Sequence, residues 1–334
     1  MDPLTDLRQF LGDRARGGES LSRHTTSRIG GPADLLVEAA SADDLRDLVL
    51  EARRRNAPVF VLGGGANVLV SDAGVRGLTI VNKARRLEFL DGGRVRAESG
   101  VVLPTLAREC IARSLSGLEW AVGVPGTVGG AIVGNAGAHG RDTASDVKRV
   151  WILGPDSRVR EWTVDELEFE YRDSRIKQEG RGDPCEALRA KRASRGRPRE
   201  PGADTRYAIR DTRYVALAAE FQLARGDRVD LERRAAQFNE YRRRTQPPGA
   251  SIGSMFKNPP GDAAGRLIDA AGLKRLRAGN AEISSVHANF FVNLGGATAR
   301  DVMALIERAR QTVREQFGVE LELEIEAVGD WGNG

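Results

Sequence analysis

Pro58-Val-Phe-Val-Leu-Gly-Gly-Gly-Ala-Asn-Val-Leu-Val70 is the stretch from which this chain is best read. A short β-branched apolar run ends at Leu62, three glycines interrupt it, and Asn67 to Val70 resumes it before the turn letters Ser71-Asp-Ala-Gly74. That pattern spells strand, glycine turn, strand. Glycine lets the main chain take positive φ and approach a ligand closely, so successive N–H groups can point at a pyrophosphate. A plain tight hairpin satisfies the same letters. The dinucleotide-binding helix turn does not, because the sixth position counted from Gly63 is Val68 and no helical pattern follows.

Outward from this point, helix and strand signals alternate, which indicates an α/β or α+β arrangement. Ser41-Ala-Asp-Asp44 has the capping-box pattern and Leu45, Leu48, Val49 and Ala52 share one helical face, so a helix is predicted over 42–55. Near the end, Thr298-Ala-Arg-Asp301 caps a second amphipathic helix that Gly318 stops. Val319, Leu321, Leu323 and Ile325 then alternate with Glu320, Glu322, Glu324 and Glu326, which predicts a half-buried strand with all four glutamates on one face.

A chain of 334 residues is long enough for two domains. With 40% hydrophobic and 29% charged residues it has the composition of a soluble globular protein, not of a collagen, a coiled coil or a disordered chain. No apolar run reaches the roughly 20 residues a bilayer requires, and Met1 to Phe10 lacks a basic-then-apolar signal pattern, so a cytoplasmic protein is expected. Two cysteines, Cys110 and Cys185, and three histidines exclude a disulfide framework and disfavour a zinc site. Residues 178–213 hold ten Lys/Arg against six Asp/Glu, leaving 41 against 41 elsewhere. The net charge of +4 therefore belongs to one Gly-, Pro- and Arg-rich segment that reads as a surface loop or insertion, and neither a nucleic-acid nor a membrane surface is expected.

Two further glycine-rich stretches bear on function. Gly117 to Gly140 packs glycines too densely for an ordinary helix or strand interior, while its interleaved valines would be costly to expose. Irregular backbone of this kind suits the wrapping of an extended cofactor. Gly249-Ala-Ser-Ile-Gly-Ser-Met-Phe-Lys-Asn-Pro259 presents two hydroxyls, an ammonium and an amide, a cluster suited to binding phosphate or donating a proton, or to a structural turn.

These stretches, with Arg28-Ile-Gly-Gly-Pro-Ala-Asp34, Gly123-Val-Pro-Gly-Thr-Val-Gly-Gly130, Asn135-Ala-Gly-Ala138, Tyr171-Arg-Asp-Ser174 and Leu321-Glu-Leu-Glu324, resemble in order and spacing the UDP-N-acetylenolpyruvoylglucosamine reductase (MurB) family, in the subclass lacking the tyrosine capping loop. The resemblance covers roughly residues 20–177 and 214–329. It implies an α+β chain with an FAD-binding domain of two subdomains over 20–225, carrying the insertion 178–213, and a smaller substrate-binding domain over 226–330. It also implies NADPH-dependent reduction of the enolpyruvyl ether on UDP-N-acetylglucosamine to UDP-N-acetylmuramate, NADPH leaving before the substrate enters the same cleft.

By the same resemblance, FAD is held by Gly63, Gly64, Gly65, Ala66, Asn67 and Val68, by Gly123, Val124, Pro125, Gly126, Thr127, Gly129 and Gly130, and by Asn135, Ala136 and Gly137. Arg172, Ser254 and Glu324 match the family's catalytic positions, and Arg242, Lys257 and Asn258 its substrate-binding ones. No metal is implied. The chemistry wants such groups: hydride added to an alkene conjugated to a carboxylate builds negative charge that an always protonated guanidinium can meet. The resulting carbanion needs a proton, which Ser254 can supply only if aimed at it. The like charges of Glu322 and Glu326 are expected to favour protonated Glu324.

The chain departs from the family pattern at Glu326, where Arg is usual, at His139, where Tyr is usual, at Ile176, where Phe is usual, and in the 178–213 insertion, which is expected to fold over the cleft and use its arginines on the diphosphate. Two other readings use the same letters. Another oxidase or dehydrogenase of this flavin fold has no need of Arg172, Ser254 and Glu324, and a non-catalytic nucleotide-sugar or RNA-binding module needs no flavin.

Overall fold

The computed structural model describes residues 2–180 and 212–331. Helix α1 (Pro3–Leu11) buries Leu7 and Leu11 beside the first sheet. Strands Arg16–Gly17 (β1), Ala33–Ala39 (β2), Val59–Leu62 (β3), Val68–Val70 (β4) and Val75–Asn82 (β5) follow in sequence. Four of them assemble in the order β1-β2-β5-β3, with β5 parallel to both neighbours. Parallel strands need a crossover, which the predicted helix α2 (Ala42–Arg54) provides between β2 and β3. Its Ser41 hydroxyl accepts the Asp44 amide at 3.1 Å, and Leu45, Leu48, Val49 and Ala52 are buried.

The glycine turn is not a hairpin. β3 lies in the first sheet, whereas β4 pairs in parallel with residues from the far end of the chain, Glu326 opposite Val68 and Val328 opposite Val70. The turn is a junction between two parts of the molecule.

A second sheet is antiparallel throughout. Leu87–Phe89 (β6), Arg94–Glu98 (β7), Val147–Leu153 (β8), Val159–Thr163 (β9) and Val215–Gln222 (β10) run in the order β9-β8-β10-β7-β6. Leu103–Ala112 (α3) and Val128–Val133 (α4) pack on it. Helix α4 corrects the expectation that 117–140 is too glycine-rich for helix. Gly129 sits inside it because a Cβ there would come within 3.0 Å of Ser99 Cβ, so the absent side chain lets the helix lie against the end of β7. Arg175–Glu179 (α5) runs into the 178–213 segment, whose two described ends, at Gly180 and at Thr212 and Arg213, line the cleft described below; residues 181–211, with Cys185 and the expected closure by that part, lie outside the described residues. Arg228–Thr245 (α6) buries Leu231 and Ala235 in the same core as Trp120 and Val122, so the helix that follows residue 226 packs on the preceding core.

The third sheet is formed by Ala250–Ser254 (β11), Arg277–Ala278 (β12), Ala281–Ile283 (β13) and Phe290–Asn293 (β14), in the antiparallel order β11-β14-β13-β12. Ala264–Ala270 (α7) and Ala299–Phe317 (α8) cover it. The cap read from sequence is present in full: Thr298 and Asp301 satisfy one another's amides, and Gly318 ends α8 at φ +68°. Ile29 and Leu69 from the N-terminal part join this third core.

The strand predicted over 319–328 is shorter than its alternation suggests, only Glu326–Val328 (β15) being regular strand. The residues before it cross from the third sheet, where Lys257 N–H donates to the Glu322 carbonyl and Glu324 N–H to that of Met255, to the glycine turn, where Glu326 N–H donates to Asn67. The four glutamates therefore do not share one solvated face: Glu320 and Glu322 are exposed, Glu324 and Glu326 half-buried. Cys110 is buried, and burial pushes its thiol up to about 12, as suits a small core residue. Among the described residues there is no metal-binding cluster and no helix long and apolar enough to cross a membrane.

Candidate active site

The two main glycine segments meet. A Cβ on Gly63 would lie 2.5 Å from Thr127 Oγ1 and one on Gly64 2.9 Å from Gly126 Cα; one on Gly65, at φ +62°, would run into the His24 carbonyl oxygen. Side-chain-free backbone is thus what allows the two loops to close on each other, and together they wall a cleft of about 600 Å³. Of the residues expected to hold FAD, all but Gly123 and Asn135 line it. A Cβ on Gly123 would stand 2.7 Å from Arg242 Cδ, so this glycine makes room for that side chain. Asn135 is buried and acts behind the wall: its Nδ2 donates to the Glu170 carbonyl at 2.9 Å and its Oδ1 accepts the Ala144 amide at 3.1 Å. An extended dinucleotide fits such a main-chain cradle, and buried Thr127 Oγ1, without a hydrogen-bond partner among the described residues, offers it a polar contact.

Arg172, Ser254 and Glu324, which sequence separates widely, line this same cleft. Each is placed by a different part of the fold. Arg172 sits at φ +58° in a turn closed by reciprocal Glu170 and Asp173 hydrogen bonds and anchored by Asn135. Ser174 ends that turn by donating to the Val133 carbonyl at 2.7 Å and capping α5. Ser254 ends β11 opposite Phe290. Glu324 lies on the crossing segment between them, its carbonyl accepting from Asn67 Nδ2 at 3.1 Å.

Arg172 Nε donates to Glu324 Oε1 at 2.8 Å and its Nη2 to the Gly137 carbonyl at 2.9 Å, leaving further N–H groups of the fork for a ligand. Burial pushes the Glu324 carboxyl above its ordinary range, with Arg172, Lys177 and Lys257 opposing. The like charges expected to raise it are not the cause, since Glu322 is paired with Lys257 at 2.8 Å and Glu326 with Lys177 at 2.9 Å.

The expected substrate-binding residues separate. Arg242 lines the cleft, and no carboxylate among the described residues pairs with it. Lys257 and Asn258 do not line it. Lys257 reaches Glu322, and the Asn258 side-chain oxygen accepts the Ala264 amide at the start of α7. His139 stacks on Phe238 at 4.2 Å and meets Tyr241 edge-on, and burial together with Arg242 pushes its imidazole down, so it stands as a neutral aromatic plate where the family has Tyr. Lys177, Tyr241 and Gln246 line the cleft without having been expected there from sequence, and so does Arg213, the last of the insertion arginines expected to reach the diphosphate.

Residues 33–162 match the family model described as an FAD binding domain, and the cradle occupies the matching part of the fold. The molecule is accordingly a flavoprotein. Residues 245–328 match the model described as the UDP-N-acetylenolpyruvoylglucosamine reductase C-terminal domain. The sequence is 44% identical to a UDP-N-acetylenolpyruvoylglucosamine reductase of Rubrobacter xylanophilus over 96% of this chain and 98% of that one. It is 41% identical to the reductase numbered 2 of Symbiobacterium thermophilum over 100% and 98%. The crystal structure of the Thermus caldophilus MurB superposes with a TM-score of 0.73 at 33% identity, covering 94% of this chain and 99% of that one. The chain belongs to the UDP-N-acetylenolpyruvoylglucosamine reductase family.

Proposed function

We propose that this protein is an FAD- and NADPH-dependent reductase that converts UDP-N-acetylglucosamine enolpyruvate to UDP-N-acetylmuramate, a step of peptidoglycan synthesis, in the cytoplasm. The observation that carries the reading is the meeting of Arg172, Ser254 and Glu324 on one glycine-walled cleft. Residues 20–225 supply the cradle and Arg172; residues 226–330 supply Ser254 and Glu324. Helix α6, though part of residues 226–330, packs on the core beside the cradle and brings Arg242 to the cleft.

Held by the two glycine segments that wall the cleft, FAD would supply the hydride chemistry that links NADPH to the terminal carbon of the enolpyruvyl alkene. The remaining steps fall to the protein. Negative charge builds on the substrate carboxylate and the adjoining carbon, and the Arg172 guanidinium, fixed by Glu324 and Gly137, meets it with its remaining donors. Ser254 gives the carbon its proton and is itself reprotonated from solvent or a neighbour. Glu324, whose protonated form burial favours, donates to the carboxylate oxygen on which charge accumulates. Arg242 holds the diphosphate of the sugar nucleotide, a role suited to a cation that pairs with no carboxylate among the described residues.

The test is an absorption spectrum of the purified protein followed by two anaerobic half-reactions. A flavin band should bleach with NADPH and return on adding the enolpyruvyl sugar nucleotide. A protein that bleaches but is reoxidised only by some other acceptor overturns the substrate, and a colourless protein that cannot be loaded with FAD overturns the whole reading.

A further inference from the structure

Lys177 and Glu326 take no part in the chemistry just described, yet they sit against it. The Lys177 side chain is 2% exposed, and its ammonium lies 2.9 Å from Glu326 Oε1. The same ammonium donates to the Arg172 carbonyl at 3.0 Å. Arg172 is a non-glycine residue at φ +58°, a conformation that persists only where its surroundings hold it. One ammonium therefore grips the strained turn bearing Arg172 and, through Glu326, the end strand β15 two residues beyond Glu324. The Arg172–Glu324 and Lys177–Glu326 contacts, at 2.8 and 2.9 Å, are neighbours and link the same two segments.

We propose that Lys177 and Glu326 are a positioning pair that clamps the Arg172 turn to the end strand and keeps the charge around Glu324 balanced. The inference rests on the reading of Arg172 and Glu324 given above. Glu324 is faced by Arg172 from the turn, by Lys177 from α5 and by Lys257 from the chain after β11. On its own segment it has Glu322, paired with Lys257, and Glu326, paired with Lys177. With Glu at 326, Lys177 is a cation placed to weaken the action of this carboxylate on Glu324. Conversely, Glu326 stops the buried ammonium from drawing the proton off Glu324.

Removing the partners one at a time should therefore push Glu324 in opposite directions, which a purely structural pair would not do. Glu326→Gln removes an anion from beside Glu324 and Lys177, so Glu324 loses its proton at lower pH. Lys177→Met removes an attracting cation and leaves an anion nearby, so Glu324 keeps its proton to higher pH. The double variant should return the pH midpoint toward that of the parent protein while the rate stays low, about 10- to 100-fold down, because Arg172 has lost its grip.

The experiment measures two quantities against pH for the flavin-loaded protein: reoxidation by the enolpyruvyl sugar nucleotide, and proton uptake when that nucleotide binds the oxidised, NADPH-free protein, read by calorimetry in buffers of different ionisation enthalpy. Flavin content and reduction by NADPH report whether each variant has folded. Should Lys177→Met fail to fold, the nearly isosteric Glu326→Gln still tests the sign by itself, and Lys177→Arg should restore parent behaviour. Shifts in one direction, or none, with the Glu324→Gln variant having lost the pH limb, overturn the positioning pair alone. If Glu324→Gln keeps the limb, the reading of Glu324 falls and the pair with it.

Discussion

Ser254 is a weak acid beside a stronger one. It lies next to Met255, whose carbonyl accepts the Glu324 amide, so hydroxyl and carboxyl are set by the same crossing of chains. Ser254→Ala should leave reduction by NADPH unchanged and slow reoxidation by substrate about 10²- to 10⁴-fold, the range for a lost proton donor. Anaerobic stopped-flow absorbance resolves the two halves, and equal slowing of both would remove Ser254 from the proton path. Glu324 makes a second prediction at this scale. Burial raises its pKa, so the donating form is complete at low pH and reoxidation falls as pH rises through the raised value. Glu324→Gln should slow reoxidation and abolish that limb. Stability has the same sign: a raised carboxyl binds its proton more tightly folded than unfolded, so its contribution is present at low pH and lost as pH rises above the ordinary 4.5. Arg172, Ser254 and Glu324 were legible because each stands in a motif with its own spacing. Lys177 was not, since one lysine in a polar stretch reads as solvated until the fold buries it.

At the scale of elements, the sequence was clear wherever a local rule governs. Ser41 and Thr298 start α2 and α8 because a hydroxyl satisfies an amide three residues on, and no distant contact is needed to read that. The end strand was overread because alternation records that successive side chains point apart, not which neighbour lies on either side. From Glu322 to Glu326 the neighbour changes from the third sheet to the glycine turn. Lys257 and Asn258 show a related effect: motif membership gives their chemistry, but in the fold their side chains reach Glu322 and the start of α7 and do not line the cleft. The glycine turn itself supports a third prediction. Gly65→Ala places a methyl against the His24 carbonyl at a φ that disfavours any side chain, so the turn must open and the cradle with it. The variant should purify with a markedly lower ratio of flavin to protein absorbance while its far-ultraviolet circular dichroism stays that of the parent. Full flavin occupancy would show that this turn does not hold the cofactor.

Across the whole molecule, the site exists only because its parts are held in register by contacts between residues far apart in the chain. β15 pairs with β4, Thr26 Oγ1 donates to the Ser251 carbonyl at 2.8 Å, and Asn293 Nδ2 to that of Ser27 at 2.9 Å. The Asp72 carboxylate, at the end of the N-terminal glycine region, accepts the Ala299 and Arg300 amides at 2.7 and 3.0 Å and so caps α8 from another part of the chain. None of this is legible locally, because each bond joins residues more than 200 positions apart. Leu69 concentrates the dependence: it is fully buried, belongs to β4 beside the cradle, and yet packs in the core of the third sheet. Leu69→Ala should cost about 2–5 kcal/mol by leaving a cavity there. Because that cavity lies where cradle and Glu324 strand are joined, both flavin retention and reoxidation by substrate should weaken, although the side chain touches neither. Thermal unfolding followed at once by flavin fluorescence and circular dichroism should show the two signals falling together at a lowered midpoint. Loss of flavin well before the helical signal would mean that the cradle unfolds independently of the third sheet, and that β4 and β15 do not couple them.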